Sequence, residues 1–465
     1  MQIEVFRRRR ERVLDALAAQ GGGVAVHFTA PERIRNRDVE YPYRFDSHYW
    51  YLTGFGEPGA AVALVAHGSR REAIVFCRAR DAQREIWDGL RLGPERAVSE
   101  LGFDAAHAID ALDTVLPELL AGAPALLYAF GAGAEIEARI HRWLASVRGR
   151  ARSGQRAPTR LVDLGALLDE MRLLKDTAEI ESMRRAASIT ADAHVRLLRH
   201  ARPGQHEYEL EAELLHEFQR HGAQAAYPAV VAAGANACVL HHAAGRARLA
   251  AGELCLVDAG CEFEGYAADL TRTFPVSGRY SGEQRAVYAL VLAAQDAAFA
   301  AIGPGRRFDD AHEAATRTLV QGLVDLGLLA GSLDGIVESG SYKQFFMHRT
   351  GHWLGLDVHD VGDYLEDGVE DVATAAAVDG SSSPSARRRR SRTLQPGMTL
   401  TVEPGLYLRP ADNVPARFHD IGVRIEDDVV VTASGHEVLT QAAPRDAAEV
   451  EAVMRAAGPA GVVRS

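Results

Sequence analysis

The chain has 465 residues, 47% of them hydrophobic and 25% charged, with a formal net charge of −11. That length predicts two domains with room for sizeable cores, and the acidic balance argues against nucleic acid as the main partner, which needs a basic surface. Four cysteines without a C-x-x-C pair make no disulfide framework, so Cys238, Cys255 and Cys261 read as small core residues in a reducing compartment.

The start, MQIEVFRRRRERVLDALAAQ, is arginine-rich, but Glu4, Glu11 and Asp15 interrupt it. Val5, Val13, Leu14 and Leu17 suit an amphipathic helix, so the stretch reads as a surface helix of a cytoplasmic protein and not as a transit peptide. AVALVAHG (61–68) and EAIVFCRA (72–79) predict adjacent strands joined by a short polar turn. The uncharged run of 16 residues from Leu119 to Ala134 is broken by Gly122, Pro124, Gly131 and Gly133, and no membrane span is expected. SVRGRARSGQRAPTR (146–160) is basic, lacks apolar periodicity and reads as the approach to a domain boundary.

From Asp176 a second pattern begins. Asp176 and Glu179 form a capping signal before apolar residues at helical spacing, and HEYELEAELLHEFQRHG follows as a second helix. Ser281 and Gln284 open a third, and DDAHEAATRTLVQGLVDLG gives its partner. Each helix pair precedes a strand-rich block, at 228–276 and 345–432, which suggests an internal duplication with halves facing a shared site. EDGVEDVATAAAVDGSSSPSARRRRSR (366–392) has the composition of a flexible, solvated insertion.

The chemistry lies in the strand blocks. LCLVDAGCEFEGYAADLTRTFPV (254–276) predicts a β-hairpin turning near Glu264-Gly265, which brings Asp258 in the first strand and Asp269 in the second to opposite or diagonal positions. One buried aspartate could pair with Arg272 as a structural ion pair; two facing each other repel, and divalent cations compensate them. MTLTVEPGLYL puts Glu403 at the end of a strand, and IGVRIEDDVVVT puts Glu426 mid-strand. Each taken singly could equally sit on a half-exposed face. HRTGHWLGLDVHDVG (348–362) adds three histidines, each of which alone could be a satisfied core side chain. Four carboxylates carry −4, which two divalent ions would balance, and oxygen-rich ligation with histidine favours Mn²⁺ or Mg²⁺ over thiolate-type zinc sites.

These strings, together with DSHYWYLTGFGEPGAAVALV and EMRLLKDTAEIESMRRAASIT, resemble the aminopeptidase P (Xaa-Pro aminopeptidase) branch of the creatinase/prolidase metallopeptidases over nearly the whole chain. The resemblance implies an α/β architecture: an N-terminal domain over 1–172, a pita-bread catalytic domain with pseudo-two-fold duplication over 173–445, and a C-terminal tail over 446–465. It implies Asp258, Asp269, His352, Glu403 and Glu426 as ligands of two divalent ions per chain, usually Mn²⁺, and homo-dimers or tetramers. The insertion at 366–392 departs from the family pattern, but it deletes none of these strings.

The same resemblance implies roles for other residues. Glu403 shuttles a proton as well as touching metal. His241 and His359 supply donors to the oxyanion and the amide nitrogen, and His242 is a spectator. His348 packs against the proline ring. Arg424 either fixes the Glu426 carboxylate or lines the substrate pocket, Tyr407 bonds nearby, and packing remains an alternative for both. Asp357 and Asp360 read as histidine orienters or loop caps. Asp38 is a candidate contributor to a neighbouring subunit's pocket. The implied activity is release of the N-terminal residue from Xaa-Pro peptides, with no nucleic-acid or membrane partner. The alternatives are a prolidase restricted to dipeptides and a metal-free scaffold relative.

Overall fold

The computed structural model describes residues 2–371 and 388–456. The chain divides into two compact units, Met1–Arg172 and Leu173–Ser465.

The first unit opens with helix α1 (Ile3–Ala19), which buries Val5, Val13, Leu14 and Leu17. The arginine run differs from the expected surface helix, because Arg9 and Arg10 are buried as well. Arg9 donates to the Tyr51 carbonyl at 3.2 Å, and Arg10 to the carbonyls of Leu52 (3.0 Å), Leu101 (3.1 Å) and Gly102 (2.6 Å). Those carbonyls lie at the C-terminal ends of two short helices, where no intrahelical donor remains, so the arginines supply the missing donors.

Six strands build the sheet: β1 (Gly23–Phe28), β2 (Ala61–His67), β3 (Arg70–Cys77), β4 (Ala105–Ala108), β5 (Ala125–Tyr128) and β6 (Arg160–Asp163). Their order is β4-β3-β2-β1-β5-β6. The predicted pair is β2 and β3, antiparallel from Ala61↔Phe76 to His67↔Arg70. Helices α2 (Leu112–Leu120) and α3 (Ala134–Gly149) add Leu116, Leu120, Trp143 and Val147 to a core with Val24, Val26, Ile74 and Phe76. The basic stretch 146–160 lies inside this unit: residues 146–149 end α3, and Arg160 opens β6, an edge strand of the same sheet.

In the second unit, α4 (Thr177–His200) starts on the Asp176–Glu179 capping box, and α5 (Glu207–Arg220) packs beside it. Strands β7 (Val230–Ala233), β8 (Leu254–Asp258) and β9 (Thr271–Pro275) follow as an antiparallel sheet with β8 in the middle. A second helix pair, α6 (Gly282–Ala300) from the Ser281 capping box and α7 (Phe308–Asp325), precedes β10 (Thr399–Val402), β11 (Gly405–Leu408), β12 (Ile421–Arg424) and β13 (Asp427–Val431). The order of helix pair then sheet thus occurs twice.

Two expectations need correction. Within 366–392 the edges are paired, Leu365–Asp371 running antiparallel to Arg388–Ser391, while residues 372–387 lie outside the described residues. Residues 447–456 are not a tail but a helix, α8 (Ala447–Ala456), held by burial of Val450 and Met454. All four cysteines are free and buried.

Candidate metal centre

The hairpin carrying the two aspartates is more broken than predicted. β8 pairs with β9 so that Asp258 lies opposite Thr271. Asp269 lies just before β9, not within it, and is therefore diagonal to Asp258. Its N–H leaves the ladder and donates to the Asp428 carboxylate at 3.0 and 3.2 Å. The close approach depends on Gly260: a Cβ there would overlap the Ala268 carbonyl oxygen. The Tyr227 hydroxyl sits between Oδ1 of Asp258, at 2.7 Å, and Oδ1 of Asp269.

The two glutamates sit at a second break. β10 pairs with β13 and β11 with β12, and between these ladders Glu403-Pro404 and Ile425-Glu426 leave the strand conformation. Glu426 is therefore not mid-strand. Its N–H donates to the Thr271 carbonyl at 3.1 Å, and its carboxylate accepts the Thr271 hydroxyl at 2.6 Å.

The histidine strip lies along β10 like an added strand. Glu403 N–H donates to Thr350, Thr401 N–H to His352, and Leu354 N–H to Thr399. Gly351 is required in that lane, because a Cβ would run into the Thr401 carbonyl. His352 is oriented by Nδ1 on the Trp353 carbonyl at 2.9 Å, leaving Nε2 at 3.4 Å from Asp269 and 3.7 Å from Glu403. Ligand atoms of Asp269, His352 and Glu426 all lie within 4.8 Å of one another.

Asp258, Asp269, His352, Glu403 and Glu426 line one cavity of about 750 Å³, together with His241, His348, His359 and Arg424. Arg424 does not bond Glu426. Its guanidinium donates to Asp258 at 2.5 Å, to the Tyr407 hydroxyl at 3.0 Å and to the Thr271 hydroxyl at 3.2 Å. Arg272 pairs with Asp427 at 2.8 Å and not with Asp258. Tyr407 also meets His348 Nε2 at 2.8 Å. The His359 ring lies 4.2 Å from that of His352. Asp360 forms a buried pair with Lys175 at 2.9 Å and also accepts from the Asp357 N–H. Asp38 lies on an exposed turn of the first unit and is not among the residues lining this cavity. Tyr227, Thr271, Asp428 and Lys175 escaped the sequence reading, since no local pattern separates them from ordinary strand and loop residues.

Electrostatics make the cluster uncomfortable without cations. Burial drives the Glu426 carboxyl well above the carboxylate range, and Asp269, Glu403 and Asp258 add to that. Burial raises Glu403 to about 7 and also raises Asp258, with the Arg424 charge opposing. Burial acts on Asp269 too, but hydrogen bonds from His352 and Tyr227 outweigh it and hold that group low. Burial would lower His352; its bond to Asp269 and the charge of Glu403 override this and raise it to about 9. Four clustered acids, Asp269 and Glu426 buried and Asp258 and Glu403 half-buried, sharing one arginine and one imidazole, are the donor set that divalent cations fit.

Comparison with known proteins identifies the family. Residues 181–433 match metallopeptidase family M24, and residues 6–128 match the aminopeptidase P N-terminal domain. The chain is 41% identical to the Xaa-Pro aminopeptidase of Escherichia coli (strain K12) over 454 residues, 97% of this chain and 98% of that one. It is 30% identical to rat Xaa-Pro aminopeptidase 3, over 97% of this chain and 86% of the relative. A solved Pseudomonas aeruginosa aminopeptidase superposes with a TM-score of 0.92 at 46% identity, covering 98% of this chain and 99% of that one. An Escherichia coli aminopeptidase P in complex with substrate gives a TM-score of 0.91 at 40% identity, with the same coverage. The chain belongs to the aminopeptidase P branch of metallopeptidase family M24, with an N-terminal α/β domain and a pita-bread catalytic domain.

Proposed function

We propose that this protein is a metal-dependent Xaa-Pro aminopeptidase, releasing the first residue of peptides whose second residue is proline. The observation that carries the reading is the convergence of four acids and His352 on one cavity in a chain of this family. Asp258, Asp269, His352, Glu403 and Glu426 would hold two divalent ions, for which Mn²⁺ suits the donor set. Such ions, when bound, polarise a carbonyl and lower the pKa of water.

The chain's own residues do the rest. Glu403, with a pKa near 7 in its buried setting, suits the taking and returning of a proton. His241 and His359 are exposed within the cavity and can donate to the oxyanion and to the proline amide nitrogen. His348, beside Phe346 and Tyr407, offers a wall for the proline ring. Arg424, itself bonded to the Tyr407 hydroxyl, holds Asp258 in place.

We also infer a homo-oligomer and cytoplasmic residence. Ile86, Trp87 and Leu90 are 80%, 84% and 77% exposed, an apolar patch that a second copy would cover; Asp38 remains a candidate for a neighbour's pocket. Four unpaired cysteines fit a reducing compartment. Among the described residues no helix is long and apolar enough to cross a membrane.

The deciding experiment is cleavage of an Xaa-Pro dipeptide and an Xaa-Pro-Pro tripeptide by Mn²⁺-loaded protein, with metal analysis. Release of the first residue from the tripeptide is expected. Activity on the dipeptide alone would replace the reading with a prolidase, and full activity without metal would remove it.

A further inference from the structure

Helix α5 begins at Glu207, whose side chain is completely enclosed. All four hydrogen bonds to its carboxylate come from one segment, residues 233–245. Oε1 accepts the Ala233 N–H and the Asn236 side-chain amide, both at 2.9 Å. Oε2 accepts from His242 Nε2 at 2.9 Å and from the Gly245 N–H at 3.0 Å. A charge taken out of water is costly unless fully hydrogen-bonded, and here each oxygen has two donors. Its place in the first turn of a helix favours the negative charge further. The backbone repeats the connection: Glu207 N–H donates to Ala247 and Tyr208 N–H to Gly245.

The segment wrapped around this carboxylate presents His241 to the metal-site cavity. The His241 ring is exposed and has no hydrogen-bond partner among the described residues. Its direction therefore depends on how the backbone beside it is held, and the next residue is the one pinned to Glu207. His242 is thus not a spectator.

We propose that Glu207 is a positioning residue for the peptidase reaction: through His242 and Gly245 it fixes the backbone that presents His241 to the substrate. This rests on the reading of His241 as a donor given above. A displacement of about an ångström at such a donor costs on the order of a hundredfold in rate.

The test is a set of cycles on Mn²⁺-loaded full-length protein with an Xaa-Pro-Pro tripeptide. Glu207→Gln replaces one acceptor oxygen with an N–H donor, so whichever way the amide turns, one backbone N–H of the segment, Ala233 or Gly245, loses its acceptor. His242→Ala removes the side-chain bond to the same carboxylate from the other side. Its side chain is only 23% exposed but lies at the cavity edge, so it keeps the test available if Glu207→Gln does not fold. Each should lower kcat roughly 10- to 100-fold with KM within about twofold and bound metal unchanged. His242→Gln, whose amide can donate to Glu207, should recover most of the loss. In a His241→Ala background, Glu207→Gln and His242→Ala should each change kcat by less than about twofold.

Losses that multiply with that of His241→Ala, or an unchanged kcat in His242→Ala, overturn the positioning role and leave the aminopeptidase reading intact. An inert His241→Ala overturns the reading of His241 itself, and the positioning role with it.

Discussion

Glu403 and Glu426 face each other across a break between two ladders. Val402 pairs with Asp427 before the break and Gly405 with Arg424 after it, so the same register carried through sets the two glutamates opposite one another. The strands part there, and the space between them opens on the cavity.

That juxtaposition makes the metal-free protein strained by charge. Burial and the neighbouring acids hold Glu426 well above the carboxylate range. Mn²⁺ should therefore raise the melting temperature of the wild type, with about 2.7 kcal/mol of stabilisation at a hundredfold excess over Kd. Glu426→Gln keeps an oxygen for the Thr271 hydroxyl and removes the cost of either burying a charge or taking up a proton there. In chelator it should melt at or above the wild type, and added Mn²⁺ should shift it less. Calorimetry with and without Mn²⁺ checks both signs.

Glu403→Gln tests the proton-handling role. Turnover of an Xaa-Pro-Pro tripeptide should fall about 100- to 10,000-fold, the usual span for losing a general acid or base. Circular dichroism should stay unchanged, because the main chain of Glu403 is held through its own N–H on Thr350. A variant with near-normal kcat would remove Glu403 from the chemistry.

Arg424→Ala should destabilise the chelated protein by about 3–5 kcal/mol, the cost of leaving a buried partner charge uncompensated. Arg424 is 4% exposed and touches Asp258, Thr271 and Tyr407 together. Saturating Mn²⁺ should shrink the loss, since cations take over the compensation of Asp258. Lysine carries its donors on one nitrogen, which cannot span the three partners that the guanidinium reaches from three separate nitrogens, so Arg424→Lys should recover little. Urea titration with and without metal measures the difference.

His194 gives a pH signature away from the acids' direct contacts. It is fully buried with Nε2 on the Ala259 carbonyl at 3.0 Å, and burial lowers its pKa from 6.5 to about 4. The unfolded chain then takes up a proton that the folded one refuses. Stability is present above about pH 6.5 and falls as pH drops toward 4, by about 3.5 kcal/mol for this group at ~1.4 kcal/mol per unit. His194→Gln, which can still donate to Ala259, should show a flatter stability profile between pH 6.5 and 4 in denaturant titrations.

Local signals carried much of this molecule into view. Asp176 with Glu179, and Ser281 with Gln284, announced helix starts, because capping is a property of four consecutive residues. The acids at 258, 269, 403 and 426 stood out because charge in an apolar run needs an explanation. Where the ladders break was hidden: the alternation around Glu426 is that of a continuous strand, and only pairing with a distant segment reveals the parting. One of the two roles open to Arg424 was to fix its near neighbour Glu426, whereas the carboxylate it bonds is Asp258, 166 residues away. Arg9 and Arg10 looked solvated because the carbonyls they serve come from helices 42 and about 90 residues downstream. Glu207 opened a helix like any first-turn acid, and nothing near it in sequence told of the four donors waiting there.

Gly260 extends this to variation. The span between Asp258 and Asp269 is set by a hydrogen atom where every other residue carries carbon. Even alanine there would wedge the chain apart at Ala268 and pull one acid from its companion. The catalytic half is thus vulnerable at a position with no side chain and no role in the reaction.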